Sequence, residues 1–496
     1  MREFPTRVAL PVLGPCGGGP GGDQPKEKCG VFAGWVIAQP AHLAYLALFA
    51  LQHRGQESAG IAVTDGQGVH RHTGMGLVSR AFSEEDLVGL EAMAGGSPRG
   101  VVAHNRYSTT GASRPENAQP FVGHFREGQV AIAHNGNLVN ASALRDRLEQ
   151  EGRVFYSTTD TEVLLSLVAE ASHEGADDPL ATALAALRGA YSLVILHHDR
   201  VEVARDPHGW RPLVVGKMHS GGYVAASETV ALDVIGAEFV REVEPGEIVT
   251  LCDEGLLSRR FAEAATPMAH CVFEHVYFAS PASVVFGSTV QSVRERLGER
   301  LAREAPVDAD MVIPMPDSGR SAATGFAREA GMRYSEGIIP NRYVGRTFIK
   351  PTGAERHAAV RLKLNIISEI VTGQRIVIVD DSIVRGTTTR AKMDQVRAAG
   401  AKEIHLRISC PPIRHPCYFG VDFPDRENLV AHERSVEEIR KLLGVDSLAY
   451  LSLDGLLEEV GRGPVGSEHY CTACYSGKYP IAPDPLFHKD VMSKNC

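Results

Sequence analysis

Hydrophobic and polar positions fall into two rhythms along this chain. From Cys29 to about Leu251, short β-branched and apolar runs alternate with glycines: Gly60-Ile-Ala-Val63, Gly100-Val-Val-Ala-His104, Val130-Ala-Ile-Ala-His134, Tyr191-Ser-Leu-Val-Ile-Leu196 and Pro212-Leu-Val-Val215. Runs of this kind predict strands. Apolar residues at helical spacing predict helices over 41–52, 141–151, 161–171 and 180–187. Strand clusters mixed with helix pairs point to a layered sandwich.

From about Met311 the rhythm becomes strand, loop, helix. Met311-Val-Ile-Pro-Met315 leads through Pro316-Asp-Ser-Gly319 to a helix over 320–330. Residues 374–379 lead through a second loop to a helix over 389–399, and 401–409 form a further strand. Such alternation predicts a mostly parallel sheet. Ile376-Val-Ile-Val379 is continuously β-branched, as suits a parallel strand buried on both faces. A boundary falls near 265–275, and a smaller third segment is expected after about 425.

At 496 residues the chain has length for roughly two to four domains. A hydrophobic content of 44% and a charged content of 22% describe an ordinary globular protein with ample core. The net charge of −9 argues against a nucleic-acid partner, while leaving room for local phosphate pockets. No apolar stretch is long enough to span a bilayer, so no membrane role is expected. Residues 11–22 are rich in Gly and Pro, which predicts disorder. This tail has too little apolar length, and no Ala-x-Ala site, for a secretory signal. Nine cysteines, an odd number in a long chain, fit a reducing, cytoplasmic setting better than a disulfide scaffold.

The densest chemistry lies at Asp380-Asp-Ser-Ile-Val-Arg-Gly-Thr-Thr-Thr389. In an open α/β sheet, ligands bind beyond the carboxyl ends of the strands. Gly386 permits close backbone approach there, and Thr387, Thr388 and the helix N-terminus offer donors to a phosphate. Asp380 and Asp381 do not favour phosphate directly; they suit sugar hydroxyls or a bridging Mg²⁺. The loop reads as a sugar-phosphate site with a metal.

Cys29 follows the Gly/Pro-rich tail and precedes a strand-like run. If the tail were removed after Lys28, Cys29 would carry both a thiol and an α-amine. The amine, with an ordinary pKa near ~7.7–8.0, can serve as the thiol's base. Taken alone, a cysteine at a strand start is more often a small buried hydrophobe. Near the other end, Cys471-Thr-Ala-Cys474 is a C-x-x-C, open to redox, zinc or iron–sulfur readings. It does not start a helix in a βαβ unit, which weakens the redox one.

Leu51-Gln-His-Arg-Gly-Gln-Glu-Ser-Ala-Gly60, His104-Asn-Arg-Tyr-Ser-Thr109, His134-Asn-Gly-Asn137 and Thr158-Thr-Asp-Thr-Glu162 follow Cys29 in that order. Together they resemble the glutaminase domain of N-terminal-nucleophile (Ntn) amidotransferases. The resemblance implies a catalytic Cys29, with Arg54 and Gly55 in the loop that closes beside it. It implies Arg106 on the glutamine carboxylate, Asp160 on its ammonium, and Asn135 with Gly136 as the oxyanion hole.

In the second half, the Asp380–Thr389 run, Pro316-Asp-Ser-Gly319 and Asn341-Arg-Tyr-Val-Gly-Arg-Thr-Phe-Ile349 resemble the amidophosphoribosyltransferase family. Its type I phosphoribosyltransferase fold binds phosphoribosylpyrophosphate (PRPP). The fold class implied is α/β: an Ntn αββα sandwich followed by a mostly parallel phosphoribosyltransferase sheet. Residues 1–28 would be a propeptide, 29–265 the glutamine amidotransferase domain, and 266–496 the phosphoribosyltransferase domain with an iron–sulfur-binding tail.

PRPP would be held by Asp380, Asp381, Ser382, Arg385, Gly386, Thr387 and Thr388. Arg346 and Lys350 would join them from a closing loop that also carries Arg342, Arg356, Arg361 and Lys363. One Mg²⁺ per subunit would sit on Ser318, Asp380 and Asp381. In the iron–sulfur branch of the family, Cys271 and Cys417 complete a set with Cys471 and Cys474 for one [4Fe–4S] cluster per subunit; zinc is the alternative for four cysteines. Cys16, Cys252, Cys410 and Cys496 have no assigned partner.

The implied reaction opens purine synthesis: PRPP, glutamine and water give 5-phosphoribosylamine, pyrophosphate and glutamate. Ammonia released at Cys29 would be channelled to the ribose. A homotetramer and purine nucleotide feedback inhibitors are implied as well. A degenerate PRPP- or nucleotide-binding relative, or a different Ntn glutamine amidotransferase, are the alternatives. The chain departs from the family in two places. Ala279-Ser-Pro-Ala-Ser283 stands for the usual Ala-Arg-Pro-Asp-Ser, and Trp210 stands where a smaller aliphatic is common.

Overall fold

The computed structural model describes residues 29–93, 99–107, 114–125, 128–341, 364–423 and 425–482. The tail 1–28 and the charged loop with Arg342, Arg346, Lys350, Arg356, Arg361 and Lys363 lie outside the described residues, as does Cys496.

Two antiparallel sheets form the first half. One has seven strands, in the order Ala237–Glu242, Val214–Met218, Tyr223–Ala226, Gly30–Trp35, Gly100–Arg106, Ser58–Thr64 and Val69–Met75. The other has six: Gly255–Arg260, Glu247–Cys252, Val201–Arg205, Gly189–Leu196, Gly128–Leu138 and Phe121–Phe125. Their facing sides meet in a core that includes Val31, Ala33, Val102, Ala133, Val194 and Val203. On the other face of the seven-stranded sheet, Phe32, Ile61 and Ala103 pack under Ala44 and Leu48 of the helix Pro40–Ala50. Ile132, Leu193 and Ile195 of the six-stranded sheet pack under Val163 and Leu167 of the helix Asp160–His173. The result is a four-layered αββα sandwich. Both faces of the central strands are buried, which is why antiparallel strands here carry apolar runs rather than the usual alternation.

The second half is built on a five-stranded parallel sheet. Its order is Arg333–Tyr334, Met311–Pro314, Arg375–Asp380, Glu403–Ile408 and Ser447–Tyr450. Ile376, Val377, Ile378 and Val379 are fully buried, as the β-branched run predicts. The expected helix over 320–330 is observed as Arg320–Ala330. The next helix begins at Thr387, two residues before the expected start, because Gly386 takes a left-handed conformation (φ 78°) that turns the chain into it.

Three expectations are corrected. The strand expected from Pro212 starts at Val214; proline has no N–H to give a ladder. A helix Val290–Glu304 occurs where none is predicted. The segment after 425 is not a separate unit: Ser447–Tyr450 is the sheet's edge strand, and Leu443, Leu448, Leu456 and Val460 belong to the same core as Ile376–Val379.

Candidate active sites

Cys29 precedes the strand Gly30–Trp35 and is buried. Its Sγ contacts the Tyr107 carbonyl at 3.6 Å, directly after Arg106. Gly30 pairs with Asn105, whose side-chain amide donates to the carbonyls of Leu48 and Leu51 and so fixes the end of the helix Pro40–Ala50. The chain then turns back over the same strand. A Cβ at Gly55 would stand 2.6 Å from the Asn105 carbonyl carbon, so only glycine lets Arg54–Gln56 lie this close. Cys29, Arg54–Gly55 and Arg106 are thus drawn to one strand end.

Arg106 is almost fully buried, with Glu57 Oε2 3.7 Å from its Nη1. Asp160 opens the helix Asp160–His173. Its Oδ2 accepts the Leu138 N–H at 3.0 Å, and its Oδ1 lies 3.3 Å from His134 Nδ1. Burial alone would raise this carboxyl; the His134 charge and hydrogen bond, with the Leu138 N–H, outweigh it and hold Asp160 below its usual range. Asn135 and Gly136 lie in the strand Gly128–Leu138. Asn135 is 2% exposed, and its Nδ2 has no partner among the described residues. A buried amide donor without an acceptor is costly, so this amide is available to an acceptor atom of a bound ligand. Gly136 (φ 151°) has no room for a side chain, since a Cβ would fall 2.0 Å from the Ala190 carbonyl oxygen.

A buried ionic network runs outward from Cys29. Arg54 Nε donates to the Cys29 carbonyl at 3.1 Å, and its Nη atoms pair with Glu228 and Glu274. Glu274 Oε1 also accepts Arg211 Nη1 at 3.0 Å. Arg211 Nη2 in turn donates to the carbonyls of Phe419 and Gly420 in the second half. Gly420 lies against the Gly136 backbone, and Asn137 Nδ2 donates to the Tyr418 carbonyl at 2.8 Å. Burial pushes Glu228 up, but His53 and Arg54, with the Ser283 hydrogen bond, hold it well below the usual range. Glu228, Glu274 and Arg211 are absent from the sequence reading. The one signal was Glu274 itself, an acid inside the apolar run Val272-Phe-Glu-His-Val276, since a buried charge must be paired.

At the second site, Asp380 ends its strand, and both it and Asp381 are buried. The Asp381 N–H donates to Asp380 Oδ1 at 3.0 Å, and Ser382 Oγ donates to Asp381 Oδ2 at 2.5 Å. Burial, and then the negative charge of Asp381, raise Asp380 well above its ordinary value. The Pro316–Gly319 loop packs on the same strand end: a Cβ at Gly319 would stand 2.3 Å from the Val379 carbonyl oxygen. Next to it, the Ser318 hydroxyl is buried with no partner among the described residues. Crowded acids and an orphaned hydroxyl are a donor set suited to a hard divalent cation. Arg385, Gly386, Thr387 and Thr388 follow at the turn into the helix Thr387–Ala398. Arg294, also missing from the sequence reading, is buried within range of the Asp381 charge and donates to the carbonyls of His275 and Ala279.

A family model for a glutamine amidotransferase domain matches residues 104–234. The amidophosphoribosyltransferase of Synechococcus elongatus is 49% identical over 477 residues, covering 95% of each chain. That of Bacillus subtilis is 45% identical, covering 92% of this chain and 94% of its own. The chain belongs to the amidophosphoribosyltransferase family. A solved structure described as the allosteric regulatory enzyme of purine biosynthesis is 44% identical, covers 92% of this chain and 97% of its own, and superposes with a TM-score of 0.87. The glutamine PRPP amidotransferase of B. subtilis complexed with ADP and GMP superposes at 0.86, again 44% identical, over 92% of this chain and 98% of its own. The αββα sandwich plus parallel sheet is the fold of this amidotransferase family.

Cys271, Cys417, Cys471 and Cys474 are neighbours in the fold. The strands His270–Cys271 and Tyr470–Cys471 pair in parallel with Cys271 opposite Cys471. Burial raises all four thiols, Cys271 to about 12 and Cys471 to about 11; the nearby sulfurs add to the rise at Cys271, Cys471 and Cys474. No three His, Cys, Asp or Glu side chains among the described residues converge closely enough to hold a single metal ion.

The segment 280–282, where a departure from the family pattern is expected, touches the ionic network through backbone. The Ser280 N–H donates to Glu228 Oε2 at 2.8 Å, while its hydroxyl only caps the Ala282 N–H. Nothing in the described structure explains why Ala282 replaces the usual acid.

Proposed function

We propose that this amidophosphoribosyltransferase works at two sites, with Arg54, Glu274 and Arg211 tying the Cys29 end to the second half of the chain. Its reaction converts PRPP, glutamine and water into 5-phosphoribosylamine, pyrophosphate and glutamate, the first committed step of purine biosynthesis. The carrying observation is that one unbroken set of buried hydrogen bonds links the Cys29 carbonyl to Phe419 and Gly420, against the peptide of Gly136.

At the first site, residues 1–28 are removed and the Cys29 thiol attacks the glutamine amide carbon, its proton passing to the new α-amine. The Asn135 amide and the Gly136 N–H hold the charge that develops on oxygen. Arg106 holds the α-carboxylate and Asp160 the α-ammonium. Ammonia leaves, is channelled to the ribose, and water releases glutamate from the thioester. The closing loop beside Cys29 contains Arg54 and Gly55.

At the second site, Asp380 and Asp381 hold the ribose hydroxyls, and Ser382, Arg385, Gly386, Thr387 and Thr388 receive the phosphate. Arg346 and Lys350 belong to the same site in this reading. Ser318, Asp380 and Asp381 would hold Mg²⁺, which would supply charge neutralisation for the departing pyrophosphate. We place the domain boundary between 265 and 266.

In this reading Cys271, Cys417, Cys471 and Cys474 would hold a [4Fe–4S] cluster, with zinc as the alternative for four thiolates. The cluster would pin the 470–476 segment to the junction between the two halves. A homotetramer, purine nucleotide feedback inhibition and a cytoplasmic setting complete the reading. No helix among the described residues is long and apolar enough to cross a membrane.

The test compares glutamine and ammonium as nitrogen donors. Cys29→Ser should abolish 5-phosphoribosylamine formation from glutamine and leave PRPP-dependent formation from ammonium. Glutamine-dependent product from this variant would overturn the assignment.

A further inference from the structure

Trp210 occupies an unusual position for so large a polar-tipped side chain. It is 1% exposed and stacked between His208 and Phe419, with ring centroids 4.4 Å away on each side. Its carbonyl accepts the Cys271 N–H at 3.1 Å. Phe419, its stacking partner, donates its N–H to Cys417 Sγ at 3.4 Å. The indole shares an apolar cluster with Phe419, Ala269 and the partly buried Cys417 and Cys471. Backbone and ring together therefore bind Trp210 to three of the four cysteine segments.

The indole N–H is the unexplained atom. It is buried and makes no hydrogen bond of normal geometry among the described residues. A buried tryptophan N–H ordinarily finds an acceptor. The sulfurs in its own apolar cluster are those of Cys417 and Cys471, and Cys417 already accepts the Phe419 N–H, which leaves Cys471 as the acceptor at hand.

We propose that Trp210 serves the cysteine set directly: its N–H is the donor to the Cys471 sulfur, and its ring closes that side of the set to solvent. This rests on the reading of the four cysteines as ligands of a [4Fe–4S] cluster. Hydrogen bonds to ligand sulfur and exclusion of solvent are two of the levers that set cluster potentials. A donor to sulfur stabilises the more negative, reduced state, so Trp210 raises the potential of the 2+/1+ couple. It also slows loss of the cluster in air.

The experiment uses the anaerobically purified full chain. Trp210→Phe keeps the stacking ring and removes only the donor; Trp210→Leu removes both. Iron and sulfide content is measured first, and wild-type protein with neither sinks the cluster reading and this proposal together. With full content in both proteins, Trp210→Phe should shift the potential in the negative direction, and Trp210→Leu should also bleach several-fold faster in air. An unchanged potential in cluster-loaded Trp210→Phe overturns the hydrogen bond while leaving the cluster reading intact. A measurement independent of those variants uses the fact that the chain has only two tryptophans. In Trp35→Phe, the remaining emission of Trp210 should be quenched in cluster-loaded protein and return when iron is removed. Equal emission with and without iron overturns the placement of the ring against the cluster.

Discussion

Arg54 Nη2 and Glu274 Oε1 stand 2.8 Å apart, with both side chains fully shielded from solvent. Glu274 arrives from the π-helical turn Glu274–Phe278, a wide form that recurs at functional sites. It is shared with Arg211, so one carboxylate answers two buried guanidiniums. Removing one partner of such a set costs about 3–5 kcal/mol, because the remaining charge is left uncompensated. Glu274→Gln should therefore lower the melting temperature. It should also reduce glutamine-dependent activity more than ammonium-dependent activity, since Arg54 holds the Cys29 carbonyl. Equal loss with both nitrogen donors would mean that the network is structural scaffolding only.

Asn135 supplies a second prediction. Its Nδ2 has no hydrogen-bond partner among the described residues. Asn135→Ala should cut kcat with glutamine by about 10²–10³, the usual worth of one oxyanion donor, with ammonium-dependent turnover and melting temperature nearly unchanged. Steady-state kinetics with the two donors decide it.

Asp380 carries a stability cost at neutral pH. Its carboxyl is raised from an ordinary 3.8, first by burial and then by Asp381. A raised carboxyl favours the folded state while protonated; that contribution is complete below the ordinary value and is lost as pH rises through the raised one. Asp380→Asn should consequently melt higher than wild type at neutral pH, with the difference shrinking toward pH 3.8. The same variant should lose PRPP-dependent turnover and the thermal shift that Mg²⁺ with PRPP gives the wild type. A lower melting point at pH 7 would contradict the crowding argument.

Cys29 needs a free α-amine to act as its own base. Intact mass of active protein should correspond to a chain beginning at Cys29. Full glutamine-dependent activity in protein that retains Met1 would falsify the nucleophile assignment.

Much of this was legible in the residues. The β-branched run Ile376–Val379 specified a doubly buried strand, and the acids and hydroxyls after it stand at that strand's carboxyl end. Four short segments in a fixed order after Cys29 marked the glutaminase half together, although singly each could be a turn or a surface charge. The structure then drew Cys29, Gly55 and Arg106 to one strand end through the pairing of Gly30 with Asn105. The third segment expected after 425 failed for a physical reason: an edge strand is short and half-exposed, so Ser447–Tyr450 shows little of the pattern of the sheet it completes.

What the sequence determined by itself is chemistry that is local in the chain: the thiol after a Gly/Pro-rich tail, the paired acids before Gly386, the C-x-x-C. What only the tertiary structure decided is which distant charges meet. Arg54, Arg211, Glu228 and Glu274 span more than two hundred residues, and nothing in their own segments names a partner. Burial forces the pairing, since a lone charge in that interior would be far costlier than the pair. The junction between the two catalytic halves is therefore written in long-range electrostatics, which no local pattern records.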